Sequence, residues 1–416
     1  MRTYSELFRT QEFTSLFLTF SGQMAAQTVS GLALSTLIYT ATGSPLLSAL
    51  AMFGPSLAQV IGATTLLSGA DRLPPRATLT GMTLIFGLGT AAQAIPGLPV
   101  WAAFAILLGQ GMIASLVSGV CYGLLNEVLP RGGYVLGCSV FSMSSGAMQI
   151  GGYAAGGVLL TQVSPRCALL IGAALYVTAS ILARFGLSRR PPRAVGQASV
   201  TDTWRNNVRL WSSKPRRYVY LAFWVPCGLT VGCESLYVAY SPRHAGLFFA
   251  CGALGMVAGD LLTGRYLPPH WRARLGVPLL LLLAAPYLVF ALDPVLPVAL
   301  VAVLLAAVGY SANWVFQERL LSLTPGELSG QGLGLYTSGM RTMQGVGAAL
   351  AGTVAQYTSP STAMTVIATA SIVVTLLLVP GLRTDGGSPE ARGQLPGRAD
   401  LAVTPEQLPE GFAQGE

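Results

Sequence analysis

Two ionisable side chains lie inside apolar runs of this chain, Glu234 in VGCESLY and Arg341 in SGMRTMQ. If those runs cross a bilayer, a charge near its centre costs at least about 2.5–3.5 kcal/mol, and residues kept against that cost serve a purpose. A carboxyl so placed can take up and release protons; a guanidinium can adjust its proton affinity or hold an anion. At ~1.5 Å per residue, counted from the run ends near Tyr218 and Gly330, Glu234 lies about 24 Å deep and Arg341 about 16 Å deep. We therefore expect Glu234 to be the proton-coupling site and Arg341 to tune it, with direct contact only if tilt or water closes that offset. A structural ion pair, or an Arg341 that binds an anionic substrate, would account for the same two residues.

The elements that must position them are helices in lipid. Of 416 residues, 52% are hydrophobic and 10% charged, with mean hydropathy +0.59, whereas soluble domains carry about 25% charged residues. Long stretches lack the polar face that a water-exposed helix needs. Windows of bilayer-crossing length give spans at 13–39, 46–70, 78–95, 99–126, 134–163 and 166–185, then at 218–240, 244–264, 275–292, 296–317, 330–356 and 361–381. The predicted fold class is an all-α membrane protein of twelve transmembrane helices in two six-helix halves. The predicted divisions are an N-terminal half at 1–185, a cytoplasmic linker at 186–217, a C-terminal half at 218–383 and a disordered cytoplasmic tail at 384–416.

Cytoplasmic loops hold most Lys and Arg of a multi-pass protein. With both termini inside, every basic residue except Arg166, Arg243 and Arg341 falls on the cytoplasmic side, in the N-terminal segment, a loop, the linker or the tail. We expect a multi-pass cell-membrane protein, and the net charge of +8 then reflects orientation and attraction to anionic lipid. No basic domain with stacking aromatics points to nucleic acid. The six cysteines form no CxxC pair, and His244 and His270 sit apart, so no metal is expected. There is no Walker A loop and no plausible Ser/His/Asp grouping. The chain reads as a non-enzyme without a cofactor.

LLSGADRLPPR at 66–76 is echoed by LLTGRYLPPHWR at 261–272, and at the same offset of 195 positions Met148-Gln149 and Gly152 recur as Met343-Gln344 and Gly347. Two echoes at one offset indicate a duplicated six-helix unit, the parallel repeat from which rocking transporters are built. On these residues the chain resembles the major facilitator superfamily over 5–382. The family's loop pattern G-x-x-x-D-R-x-G-R-R falls on 67–76, keeping Asp71, Arg72 and Arg76, with Leu67 and Pro74 at the glycine positions and Pro75 at an arginine position. The resemblance implies that Asp71, Arg72 and Arg76 form a conformational latch against a helix start in the other half; a solvated loop carboxylate that helps set topology is the plainer reading. The family's R-x-x-Q-G pattern keeps Gln110 and Gly111 but has Leu107 at the arginine position, which weakens a direct carry-over of proton handling. TGSPLLSAL at 42–50 and LTPGELSGQGLG at 323–334 look most like drug and natural-product exporters of the macrolide and siderophore type.

What the resemblance implies is a monomeric secondary transporter that exports a small amphipathic compound in exchange for protons. An importer or an uncoupled uniporter is the alternative, and a non-transporting sensor or scaffold the remote one. Gln23, Gln27, Gln59, Gln110, Gln149 and Asn313, with Trp224, Tyr237 and Trp314, are candidates for a substrate pocket near the membrane midplane. Each amide alone would serve as well in a helix-to-helix hydrogen bond. In the linker, Trp204, Val208 and Trp211 share a helical face with Arg205 and Arg209 among the polar positions, which predicts an amphipathic helix on the membrane surface.

Overall fold

The computed structural model describes residues 4–65, 73–129, 134–191, 200–263, 269–325 and 328–383. After a short helix at Tyr4–Phe8, the first six long helices are α1 (Gln11–Thr42), α2 (Pro45–Thr65), α3 (Pro75–Gln93), α4 (Val100–Val128), α5 (Tyr134–Gln162) and α6 (Pro165–Gly186). A linker helix at Val200–Ser212 leads to α7, which runs Lys214–Ser235 and resumes at Tyr237–Tyr240. There follow α8 (Ala245–Leu261), α9 (Pro269–Ala284, ending as a 3-10 turn at Ala285–Leu292) and α10 (Leu296–Val308 and Ala312–Ser322, joined by the 3-10 turn Gly309–Ser311). The last two are α11 (Ser329–Tyr357) and α12 (Pro360–Arg383).

The starts are written locally. Proline occupies the first turn of α2, α3, α6, α7, α9, α10 and α12, where its missing N–H has no helical partner to lose. Ser164 caps α6 by accepting from the Cys167 amide, and Gly43 closes α1 in the left-handed conformation, φ 63°, donating to the Tyr39 carbonyl. Among the described residues, seven segments are long and apolar enough to cross a membrane by length and composition alone: α2, α4, α6, α7, α9, α10 and α12. The others fall short for visible reasons. α8 is short, α3 carries several threonines, and α1, α5 and α11 each place polar side chains along an internal cavity.

The first six helices pack mainly among themselves, α1 against α6, α5 and α2, and α3 against α6. The last six repeat the scheme, α7 against α11 and α12, and α8 against α10. Two crossings join the sets, α2 with α11 and α5 with α8. The second sequence echo lies on α5 and α11 and has a packing reason, whereas the first follows the ends of α2 and α8 and falls partly outside the described residues. A Cβ on Gly347 of α11 would stand 1.8 Å from the Gly228 carbonyl oxygen of α7, and one on Gly232 would stand 2.5 Å from the Gly347 oxygen. The G-x-x-x-G pair Gly228 and Gly232 thus lets the α7 and α11 backbones touch, the small-residue packing that substitutes for hydrophobic drive in lipid. At the equivalent crossing, Gly152 of α5 faces the Thr28 side chain of α1.

Away from the linker, the sets close on each other. Gly157 of α5 and Gly246 of α8 meet backbone to backbone, Gly352 of α11 lies on Leu46 of α2, and Gly345 lies on Leu57. Ser44 donates to Gln356 at 2.7 Å and the Tyr39 hydroxyl to the Ala239 carbonyl at 3.3 Å. On the linker side Arg190 bridges Glu12 of α1 and Glu127 of α4, the latter at 3.1 Å. The linker helix is docked as well as amphipathic. Trp211 stacks on Tyr220 and Trp224 of α7, with centroids 6.1 and 5.8 Å away, and Gln331 of α11 donates to Asn207 at 3.0 Å.

Asp71 and Arg72, and with them most of the expected latch, lie outside the described residues, as does the 384–416 tail. Arg76 is described, and it donates to the Arg184 carbonyl at the end of α6. It is engaged within the first six helices because Pro74 and Pro75 start α3 beside that helix end.

Candidate functional site

Between the two sets lies a cavity of about 460 Å³, lined from both sides. Its first-half wall offers Gln27, Gln59, Gln149 and part of Gln23, set among Phe20, Met24, Met52, Phe53 and Phe86. These amides are partly occupied: Gln23 donates to Thr83 Oγ1, and Gln149 donates to Ser145 at 3.3 Å. The second-half wall carries the cavity's charged side chains, Glu234, Asp260 and Arg341, with Tyr237, Tyr310, Asn313 and Gln344.

Glu234 is held by a break in a distant helix. Gly309 sits against the Leu279 oxygen and the Leu283 backbone of α9, where a Cβ would stand 2.6 Å from either, so α10 can approach closely and tighten into its 3-10 turn. That turn aims the Tyr310 hydroxyl at Glu234, to which it donates at 2.9 Å. The carboxyl is 8% exposed, so one oxygen takes the phenol while the group still borders the cavity. One turn further along α7, the Tyr237 hydroxyl is hydrogen-bonded to that of Tyr287 from α9, both buried. α7 itself breaks at Leu236 between the carboxyl and this pair.

Arg341 is placed differently. It projects from α11 into open cavity space and makes no hydrogen bond or ion pair to another described residue. Its electrostatic neighbours are Tyr122, Tyr153 and Cys227, with no carboxylate among them. Glu234 and Arg341 form no direct ion pair among the described residues, and the described hydrogen bond to the carboxyl comes from Tyr310. Tyr153 of α5 has both charges as electrostatic neighbours and stacks on Phe249 at 4.7 Å.

Of the candidate pocket residues, Gln23, Gln27, Gln59, Gln149, Tyr237 and Asn313 reach the cavity, and Gln110, Trp224 and Trp314 do not. Gln110 turns back onto α3, donating to the Phe86 carbonyl at 3.0 Å and to Thr90 at 3.4 Å. The Trp224 indole is stacked under the linker helix and donates to the Tyr336 carbonyl at 2.8 Å. Trp314 donates to Asp260 at 2.9 Å while its ring is 48% exposed. Tyr310, Tyr287, Tyr153 and Gln344 were not singled out from sequence. The echo of Gln149 at Gln344 was the available signal for the last. Among the described residues no group of His, Cys, Asp or Glu could hold a metal.

Among the described residues, twelve long helices pack in two similar sets around a shared cavity, the architecture of a membrane transporter. The chain belongs to the Major Facilitator Superfamily, whose profile matches residues 16–317. It is accordingly a multi-pass secondary transporter of a small molecule and not an enzyme. Its fold is similar to that of a bacterial homologue of the human lysosomal transporter Spinster in an inward-facing, unoccupied conformation, with a TM-score of 0.69 and 11% identity over 90% of this chain and 96% of that one. A peptide transporter POT in complex with sulfate is also similar, with a TM-score of 0.68 and 13% identity over 89% of this chain and 94% of that one. At such identities the likeness concerns the fold alone. No curated protein matches the sequence.

Proposed function

We propose that this transporter exports a small amphipathic organic compound in exchange for protons, with Glu234 as the group that carries the proton. Residues 1–185 and 218–383 act as the two rocking halves, and the linker and both termini face the cytoplasm. The carrying observation is Glu234 itself: a carboxyl at the wall of the shared cavity, fixed by Tyr310 and beyond ion-pair reach of any described cation. A carboxyl so enclosed is most readily moved across the membrane when it is neutral. Loading it with a proton from one side and releasing that proton on the other gives the halves a reason to alternate.

The test is flux in proteoliposomes with an entrapped pH dye and a panel of amphipathic compounds under an imposed pH gradient. Wild-type protein should dissipate the gradient when a transported compound is present. Glu234→Gln should not, while still exchanging labelled for unlabelled compound at equilibrium. Gradient-driven flux that survives the substitution rejects the assignment. An uncoupled uniporter or importer is supported by one feature, Leu107, which stands where coupled relatives are expected to hold an arginine and is packed among Ala51 and Ala103; equal flux with and without the gradient would select it.

A further inference from the structure

The cavity holds two opposite charges that do not neutralise each other. Among the described residues Glu234 accepts one hydrogen bond, from Tyr310 to Oε1, and none of them donates to Oε2. Arg341 has none to any described residue. The third charged group, Asp260, accepts one hydrogen bond on Oδ1, from the Trp314 indole, and unlike Glu234 it is exposed and keeps its contact with water. Along the membrane normal Glu234 and Arg341 are offset by roughly 8 Å at the helical rise, and Tyr153 from the opposite wall has both as electrostatic neighbours.

Closing the cavity around a ligand removes water from both groups. A neutral ligand leaves both charges unpaired, and a ligand of one sign satisfies one and strands the other, which is costly in a dry interior. Glu234 can escape by binding a proton. Arg341 cannot, since guanidinium stays charged in proteins.

We infer that the transported compound is dipolar, carrying an anionic group that docks on Arg341 and an ammonium group that docks on Glu234 Oε2, with an apolar body between them along Tyr153. This rests on the transport reading above and supplies its exchange chemistry. An ammonium arriving at Glu234 displaces the carboxyl proton, which leaves to the water on the side then open, and a returning proton displaces the ammonium in turn. Gln27, Gln59 and Gln344, which make no hydrogen bond to other described residues, are available to the polar parts of the ligand.

The experiment is equilibrium binding to the full chain in lipid nanodiscs, at fixed pH and without a gradient, of four matched probes. They are 4′-(aminomethyl)biphenyl-4-carboxylate, 4′-methylbiphenyl-4-carboxylate, biphenyl-4-ylmethylammonium and biphenyl-4-ylmethanol. The dipolar probe should bind at least about tenfold more tightly than each of the others, the equivalent of about 1.4 kcal/mol. Arg341→Gln should bring it down to the affinity of the ammonium probe and Glu234→Gln to that of the carboxylate probe, while Arg341→Lys should retain part of the preference. A dipolar probe that binds no better than a single-charge probe, variants that shift all four probes alike, or failure of the dipolar probe to bind overturns the inference. If a variant does not fold, the ranking of the four probes on wild-type protein still decides. Because no gradient is applied, a dipolar preference without Glu234-dependent gradient flux would remove the coupling assignment alone, and the converse result would remove only the substrate class.

Discussion

The two walls of the cavity come from equivalent helices yet do different work. α1 and α5 present Gln27 and Gln149, neutral amides, whereas α7 and α11 present Glu234 and Arg341. Packing tells the same story in reverse: the α1 with α5 and α7 with α11 crossings both keep a glycine, at Gly152 and Gly347, although the first faces only a threonine side chain and the second a backbone carbonyl. The two halves share a packing framework, while the charged side chains of the cavity lie in one of them. A neutral wall facing a charged one can receive ligand without competing for its charges.

Glycine substitutions should split the halves most widely. Gly347→Ala forces a Cβ onto the Gly228 carbonyl and should cost at least the upper end of the about 1–3 kcal/mol typical of overpacking, read as loss of folded protein on size-exclusion chromatography and a lower unfolding temperature. Gly152→Ala meets the movable Thr28 side chain at 3.0 Å and should cost about 1 kcal/mol or less. Equal effects would mean that the two crossings are equally tight and would contradict the difference drawn between them.

Next in size, Tyr310→Phe should remove a hydrogen bond to the carboxyl, worth about 1.5–3 kcal/mol when the acceptor is charged. Gradient-driven flux should fall by about tenfold or more in liposomes, with the protein still folded. The same change at Tyr176, on the first-half wall of the cavity and without a hydrogen bond to Glu234, should leave coupling intact. Smaller still, Gln27→Ala and Gln59→Ala should each change apparent affinity by about 2–3-fold, in keeping with about 0.6 kcal/mol for a single polar contact between membrane helices. The least effect is expected from Arg190→Ala, since its pairs with Glu12 and Glu127 are about a quarter exposed and such pairs contribute about 0–1 kcal/mol; thermal unfolding should move little.

Helix positions were readable because lipid demands long apolar runs, and the ends of α4, α5 and α10 at Val100, Tyr134 and Leu296 lie within a residue of those read from hydropathy. The two charges within the spans were equally readable, since Glu234 and Arg341 interrupt runs that otherwise carry none. What hydropathy does not encode is rotation about a helix axis, so Gln110, Trp224 and Trp314 looked like pocket residues and proved to face neighbouring helices or the linker. Tyr310 was missed for a related reason. Its approach to Glu234 depends on a 3-10 turn in α10 set by how Gly309 meets α9, a contact between segments distant in sequence. Depth along the membrane separated Glu234 from Arg341 in the sequence, and the structure likewise shows no ion pair between them, the carboxyl taking a phenol instead.

The assignment of the mobile proton is open to direct observation by pH-induced infrared difference spectroscopy of the protein in lipid. A carboxyl C=O band should appear on acidification in wild-type protein, vanish in Glu234→Gln and shift in frequency in Tyr310→Phe, which removes its hydrogen-bond donor. A spectrum whose carboxyl band is unchanged by either substitution would place the proton on another group and contradict the account.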